Sequence, residues 1–308
     1  MRNRTFASLS SVFASRWMAA LAVAVLLIAA RGASSQSLGY EGPTGVFVTP
    51  LAATAASPAK GFGKPSISYH VLAGGPVIGT WNTVSITEGV AKRIEFGYTR
   101  EDHAAGNTVG LSPLWRSGLN IFHGKVNVVP ENAGKTKWVP AISVGGIART
   151  NDTDVYDGQN GQSKTNGDIY VVATKVITQI NKKVPVLVNA GVRGTNSSLW
   201  GLGGNAPDFS ARGFGALAFV FKGPAKGTII LASEVAQQPQ RVKYTSAAGV
   251  ASPVLDIPTS IDYAVRYVPS PKHKINIDFG ILQAAGRVAP GVDLKARARA
   301  AFGISYGF

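Results

Sequence analysis

Period-two alternation of apolar and polar side chains runs through most of the chain after about residue 63. Ile94, Phe96 and Tyr98 alternate with Glu95, Gly97 and Thr99, and Ile261, Tyr263, Val265 and Tyr267 alternate with Asp262, Ala264 and Arg266. Ile275, Ile277, Phe279 and Ile281 do the same against Asn276, Asp278 and Gly280. This pattern predicts strands with one apolar and one polar face. It places them at 64–73, 80–87, 93–102, 117–129, 137–149, 167–179, 184–195, 212–222, 227–237, 259–268, 274–285 and 296–308.

In a soluble sandwich the apolar faces would meet in a core, whereas in a barrel in lipid they point outward and the polar faces line the lumen. Periodicity does not choose between the two, but the connections do. Those at 88–92, 130–136, 180–183, 223–226 and 269–273 are short. Those at 103–116, 150–166, 196–211, 238–258 and 286–295 are longer and rich in Gly, Asn, Asp, Ser and Pro. Such sorting by parity is the pattern of periplasmic turns and extracellular loops. The predicted fold class is therefore all-β: a transmembrane antiparallel up-and-down β-barrel of about twelve strands over residues 63–308. Strands of about ten residues cross the hydrocarbon when tilted, and closure leaves no unpaired edge.

The amino terminus points to export. Arg2, Arg4 and Arg16 precede the apolar run Trp17–Ala30, and Ala33, Ser34 and Ser35 follow it, as in a secretory signal peptide cleaved after Ser35. The run is shorter than the roughly 20 residues of a spanning helix. Residues 36–62, with Thr49-Pro50 and an Ala-rich stretch, do not read as a full spanning strand. They are expected to form a periplasmic lead, an internal plug or a short first strand.

Composition narrows the function classes. The chain has no Cys, which excludes disulfides, Cys-ligated metals and a lipidated Cys. Its 36 Gly and 15% charged residues suit strands with small inward side chains, not helices. A net charge of +15 could attract nucleic acid. The export pattern and the scatter of basic residues between apolar strands argue against that partner.

The last strand alternates Ala298, Ala300, Phe302, Ile304, Tyr306 and Phe308 against Arg297, Arg299, Ala301, Gly303, Ser305 and Gly307. An aromatic closing strand of this kind resembles the signal of bacterial outer-membrane barrels, in which the assembly machinery reads the terminal Phe. Ile304, Tyr306 and Phe308 are its candidates here. Three blocks resemble one uncharacterised family of proteobacterial exported proteins, domain of unknown function 3034. They are Gly89–Tyr98, then Gly124–Val128 with Trp138–Gly145, and Asp168–Lys175; Leu199–Gly204 also fits. Before Glu88 the chain departs from the family, and its Thr44-Gly45 and Thr49-Pro50-Leu51-Ala52 look more like exopolysaccharide-associated outer-membrane barrels. The resemblance implies a location and a fold but no catalytic residues.

Candidate chemistry is sparse. The histidines, His70, His103, His123 and His273, lack metal-motif spacing, so no metal or cofactor is expected. Ser68 and His70 share a strand face, as in outer-membrane lipid enzymes, but no orienting acid or Gly-x-Ser-x-Gly elbow accompanies them. Gly201-Leu202-Gly203-Gly204 precedes no helical pattern and reads as a loop. By strand parity, Glu95, Lys125, Arg193, Glu234, Asp262, Arg266, Asp278, Arg297 and Arg299 line the lumen. Such charges either shape which solutes pass or pair into a network that fills the barrel. Parity fixes the face, not the pairing. The short turns are basic (Lys92-Arg93, Lys135 with Lys137, Lys182-Lys183, Lys222 with Lys226, Lys272-His273-Lys274), while the loop at 150–166 carries Asp152, Asp154 and Asp157. A positive periplasmic rim would meet anionic phospholipid headgroups or an anionic periplasmic partner.

The expected protein is an outer-membrane barrel of a Gram-negative bacterium, not an enzyme. Its expected partners are outer-membrane lipid, the barrel-assembly machinery and periplasmic chaperones. Its leading expected role is passive passage of small hydrophilic solutes, with lumenal Arg and Lys favouring anions. A non-conducting barrel for envelope structure or exopolysaccharide secretion is the alternative, and a lipid enzyme the third.

Overall fold

The computed structural model describes residues 37–104, 106–108, 118–151, 165–181, 183–201, 205–239, 259–269, 274–283, 287–289, 292–293 and 297–308. The signal segment, Asp152, Asp154, Asp157, Lys182, Leu202, Gly203, Gly204, Lys272 and His273 fall outside these.

Twelve antiparallel strands close a barrel. In chain order the strands are β1 (Ser66–Gly74), β2 (Gly79–Val90), β3 (Ile94–Ala104), β4 (Leu119–Val129), β5 (Ala141–Asn151), β6 (Thr165–Ile177) and β7 (Val186–Ser197). They continue as β8 (Asn205–Lys222), β9 (Thr228–Ala236), β10 (Ser260–Val268), β11 (Ile275–Gln283), β12 (Arg287–Ala289), β13 (Val292–Asp293) and β14 (Arg299–Gly307). β12 and β13 pair only with each other, between β11 and β14. Each barrel strand pairs with its sequence neighbours, and β1 closes the ring on β14, with Ser66 opposite Gly307 and Leu72 opposite Ala301.

Two predicted bounds are corrected. β8 begins at Asn205 rather than 212, because Ser197 pairs with Asn205 beyond an irregularity at Thr195. The closing strand begins at Arg299, and Arg297 lies exposed in a bend before it, so Arg297 is not on the lumen wall. Loop parity is also less strict than expected. The β1–β2 connection is a single helical turn, Gly75–Ile78, that buries Val77 and Ile78 at the long-loop end.

Register carries one face of every strand inward, since a one-residue slip would invert it. Asp262 and Arg266 are 1% and 8% exposed, while Tyr263 and Val265 between and beside them are 58% and 44% exposed. Around the wall Phe122, Ile169, Val192, Phe219 and Phe279 also point outward and are exposed. A continuous apolar exterior on this scale far exceeds the patches that water-soluble monomers expose.

The interior poses the opposite problem. About eight strands make a barrel that its own side chains just fill, and diameter grows with strand number. Twelve strands therefore leave a space. Over β8–β11 and β14 many of the inward side chains are small, among them Ala216, Ala218, Ala232, Ala236, Ala264, Gly280, Ala301 and Gly303, with Phe214, Glu234, Asp262, Arg266, Asp278 and Leu282 between them. The space is taken by residues 37–56, which share one buried cluster with the wall. Tyr40, Val46, Phe47, Val48, Leu51 and Ala52 pack there with Trp81, Leu119, Ile121, Tyr170, Leu199, Trp200 and Phe214.

Candidate functional site

The segment inside the barrel has almost no regular structure of its own. Isolated bridges join Leu38 to Thr44 and Gly45 to Pro50, and short-range bonds fold it into successive turns, such as Tyr40 N–H to Phe47 O at 2.7 Å and Leu51 N–H to Thr44 O at 3.0 Å. Gly42 adopts φ +102°, and a Cβ there would meet Thr99 Oγ1 at 2.4 Å. A buried backbone without a ladder must find other partners for its N–H and C=O groups. Here side chains projecting from the wall supply them.

Glu234 on β9 accepts the backbone N–H of Phe47 at 2.7 Å, of Val48 at 3.2 Å and of Thr49 at 2.7 Å, and the Thr49 hydroxyl at 2.6 Å. Three successive N–H groups converging on one carboxylate form an anion-binding nest in which the wall supplies the anion. From β10, Arg266 donates to Gly45 O at 3.2 Å and to Val46 O. The same guanidinium is held two-pronged by Asp278, its register partner on β11, at 2.6 and 3.0 Å.

Across the lumen, Glu95 on β3 accepts Thr44 N–H at 2.9 Å, the Thr44 hydroxyl at 2.5 Å and Ala55 N–H at 2.6 Å. Lys125, opposite it on β4, lies 3.1 Å from Glu95 and donates to Leu51 O at 2.9 Å and Thr44 O at 3.2 Å. Arg149 on β5 joins Glu41 of the segment (2.5 Å) to Asp168 of the wall (2.7 Å). Ala52 is gripped at both polar atoms: its N–H donates to Thr174 Oγ1 at 2.7 Å and its O accepts from Ser143 at 2.5 Å and Asn127 at 3.2 Å. Burial, with Glu101 alongside, raises the Tyr40 phenol well above its ordinary range and keeps it neutral.

Of the residues expected to line the lumen, Glu95, Lys125, Glu234 and Arg266 hold the segment directly, and Asp278 holds Arg266. Arg193 sits 3.8 Å from Asp168 and donates to Gln237 O at 3.2 Å. Asp262 is buried opposite Glu234. Arg299 stands at the far rim, its guanidinium against Gly75. The described cations Lys125, Arg149 and Arg266 are bound to carboxylates or to carbonyls of the segment.

Glu41, Arg149, Asp168, Asn127, Ser143 and Thr174 were missed. The wall members could have been found, since each shares inward parity with a predicted strand. Thr44 and Thr49 lie in the Thr44-Gly45 and Thr49-Pro50-Leu51-Ala52 motifs, and those are the points that Glu95 and Glu234 grip.

Ser68 and His70 are both buried on β1, but the Ser68 hydroxyl makes no bond to His70; the His70 ring lies edge-on to Phe47 at 5.5 Å. Near the carboxyl end Tyr306 is buried with its ring edge-on to Phe308 at 5.1 Å, while Ile304 and Phe308 are partly exposed. Between segment and wall, a cavity of about 20 Å³ is lined by Val48, Thr49, Pro50, Asp168, Tyr170 and Arg193, and another of about 10 Å³ by Gly39, Pro43 and Ile147. Spaces of that size hold water, not a solute.

The model of one family, described as "Protein of unknown function (DUF3034)", matches residues 41–248. The chain belongs to that family. The match begins at Glu41, inside the lumenal segment, so the expectation that the chain departs from the family before Glu88 is corrected; it takes in Thr44, Thr49, Glu95, Lys125, Arg149 and Glu234, and the family region includes both sides of the contact. No curated protein matches the chain. Among solved structures, a KdgM porin is 10% identical with a TM-score of 0.43, the alignment covering 79% of this chain and 99% of that one. A NanC porin is 11% identical with a TM-score of 0.42, covering 79% and 98%.

Proposed function

We propose that this member of the DUF3034 family is an outer-membrane barrel of porin-like build whose own N-terminal segment closes the lumen. In the resting form it does not conduct, and small hydrophilic solutes pass only when the segment is displaced. The apolar exterior, the export pattern at the amino terminus and the aromatic closing strand support the outer membrane as its place. The assembly machinery and periplasmic chaperones belong to the same reading as partners.

One observation carries the closed state: the Glu234 carboxylate is committed to Phe47, Val48 and Thr49 of the segment at 2.6 to 3.3 Å, in a lumen where no water-accessible group is needed to satisfy it. A plug held by side chains, not by strand pairing, can leave without unravelling the sheet. Passage of anions would then depend on the Arg and Lys residues that the plug now occupies.

The test is single-channel recording of the folded chain from Gln36 in planar bilayers, beside the variant E95Q/E234Q. A native chain that is mostly silent and a variant that opens in discrete steps support gating. A barrel that is folded and silent in both forms favours the second reading, a non-conducting envelope protein, for which the number of polar contacts between segment and wall speaks.

A further inference from the structure

The short-turn end of the barrel carries a charge distribution that the plug does not use. Exposed cations stand at Lys92 and Arg93 between β2 and β3, Lys137 between β4 and β5, Lys183 between β6 and β7, and Lys222 and Lys226 between β8 and β9. Among the described residues, the acids at this level are Glu131, which already pairs with Lys175 at 3.0 Å, and Glu88. At the opposite end, among the described residues, Arg100 pairs with Asp102 at 2.9 Å, Asp208 shares β8 with Arg212, and Arg297 and Arg299 stand at the start of the closing strand. Among the described residues the exposed Lys side chains all stand at the short-turn end.

Large apolar side chains sit beside these cations. Trp138, 66% exposed, follows Lys137; Ile180, 79% exposed, shares the turn of Lys183; Phe221 precedes Lys222. Aromatic residues at the boundary of an apolar belt mark the level at which hydrocarbon gives way to headgroups. The cations lie at that same level. Among the described residues they come from the turns at four successive short-turn junctions, β2–β3 to β8–β9, so they form a broad arc of the rim and not a stripe along the wall. A linear anionic polymer would need a continuous groove, whereas a planar layer of separate anions meets such an arc at every point.

We propose that this rim binds the anionic headgroups of phospholipids in the leaflet facing the short turns. The inference rests on the membrane placement proposed above and not on the plug. Several ammonium groups near an anionic surface act together, and the attraction falls within a Debye length as salt is added.

The test places the folded chain in phosphatidylcholine vesicles with a trace of spin-labelled phosphatidylglycerol or spin-labelled phosphatidylcholine and compares the motionally restricted fraction of each. The expected result is a severalfold preference for phosphatidylglycerol at low salt that shrinks as salt rises. K92Q/K137Q/K183Q/K226Q loses most of it, while R212Q at the opposite rim keeps it. Equal restriction of the two lipids by the native chain, or an undiminished preference in the fourfold variant, overturns the proposal. The native chain's preference and its salt dependence decide the matter even if that variant does not fold. A chain that inserts, stays closed and shows no lipid preference removes the rim and leaves the plug, whereas a chain that never enters vesicles removes both.

Discussion

Glu234 and Thr49 lie 185 positions apart in sequence, yet one carboxylate oxygen of Glu234 accepts both the Thr49 amide at 2.7 Å and its hydroxyl at 2.6 Å. The pair ties the N-terminal segment to the far wall of the barrel, and its chemistry is asymmetric. A carboxylate accepts from several N–H groups at once, whereas the amide of Glu234→Gln turns donors toward at least one of them.

Glu234→Gln is expected to destabilise the folded barrel by about 1–3 kcal/mol, the range for leaving buried donors unsatisfied. Thr49→Ala removes one contact and leaves the backbone bond, so its cost falls at the low end of that range, about 1 kcal/mol. Urea unfolding in detergent, followed by tryptophan fluorescence, measures both. Equal midpoints for Glu234→Gln and the native chain would remove Glu234 from its anchoring role.

The Glu95–Lys125 pair should show strong coupling, because both side chains are fully buried and 3.1 Å apart. Lys125→Met leaves a buried carboxylate without its counter-charge and is expected to cost about 3–5 kcal/mol. E95Q/K125M should cost less than the two single changes added together. Strict additivity in the double-mutant cycle would mean that the two groups act independently.

The strands were legible in the sequence, whereas the content of the lumen was legible only as one of three alternatives for residues 36–62, an internal plug beside a periplasmic lead and a short first strand. Period two is a local signal, so Ile261–Tyr267 and Ile275–Ile281 show both strand and face without any knowledge of their neighbours. The plug has no period, since residues 38–55 satisfy their backbone partly with irregular turns of their own and partly with Glu95, Lys125, Thr174, Glu234 and Arg266, all distant in sequence. Parity told which side chains enter the lumen but not which of them would hold the N-terminal segment there. Arg297 failed for a related reason: alternation continues one step past the end of the sheet, into a bend where the side chain is exposed.

The exit of the segment from the lumen is tight. Phe62 bridges to Val90, and a Cβ on Gly89 would stand 2.1 Å from Ala55 O. Gly89→Val should therefore push residues 55–63 off the end of β2 and speed their cleavage in limited proteolysis, with the barrel itself intact. A cleavage rate matching that of the native chain would contradict this packing.

The exterior is expected to tolerate charge only at its rims. Val192 is exposed near the middle of β7, and Val192→Lys should cost about 2–4 kcal/mol of stability in bilayers, the range for a cation at the midplane of a lipid-facing strand. Lys183→Gln in the adjoining turn should be close to neutral. Folding yield in vesicles of graded denaturant content compares them, and indifference to Val192→Lys would argue that this face does not meet lipid.

The placement of the N-terminal segment inside the lumen is tested most directly through Ala52, which is 0% exposed and held at both its N–H and its O by the wall. The chain has no Cys, so Ala52→Cys provides a single thiol at little cost in volume. In the folded barrel this thiol should resist a water-soluble maleimide that labels Lys183→Cys rapidly, and should become reactive when E95Q/E234Q is added. Labelling of Ala52→Cys in the otherwise native barrel as fast as Lys183→Cys would show that the lumen is not closed by this segment.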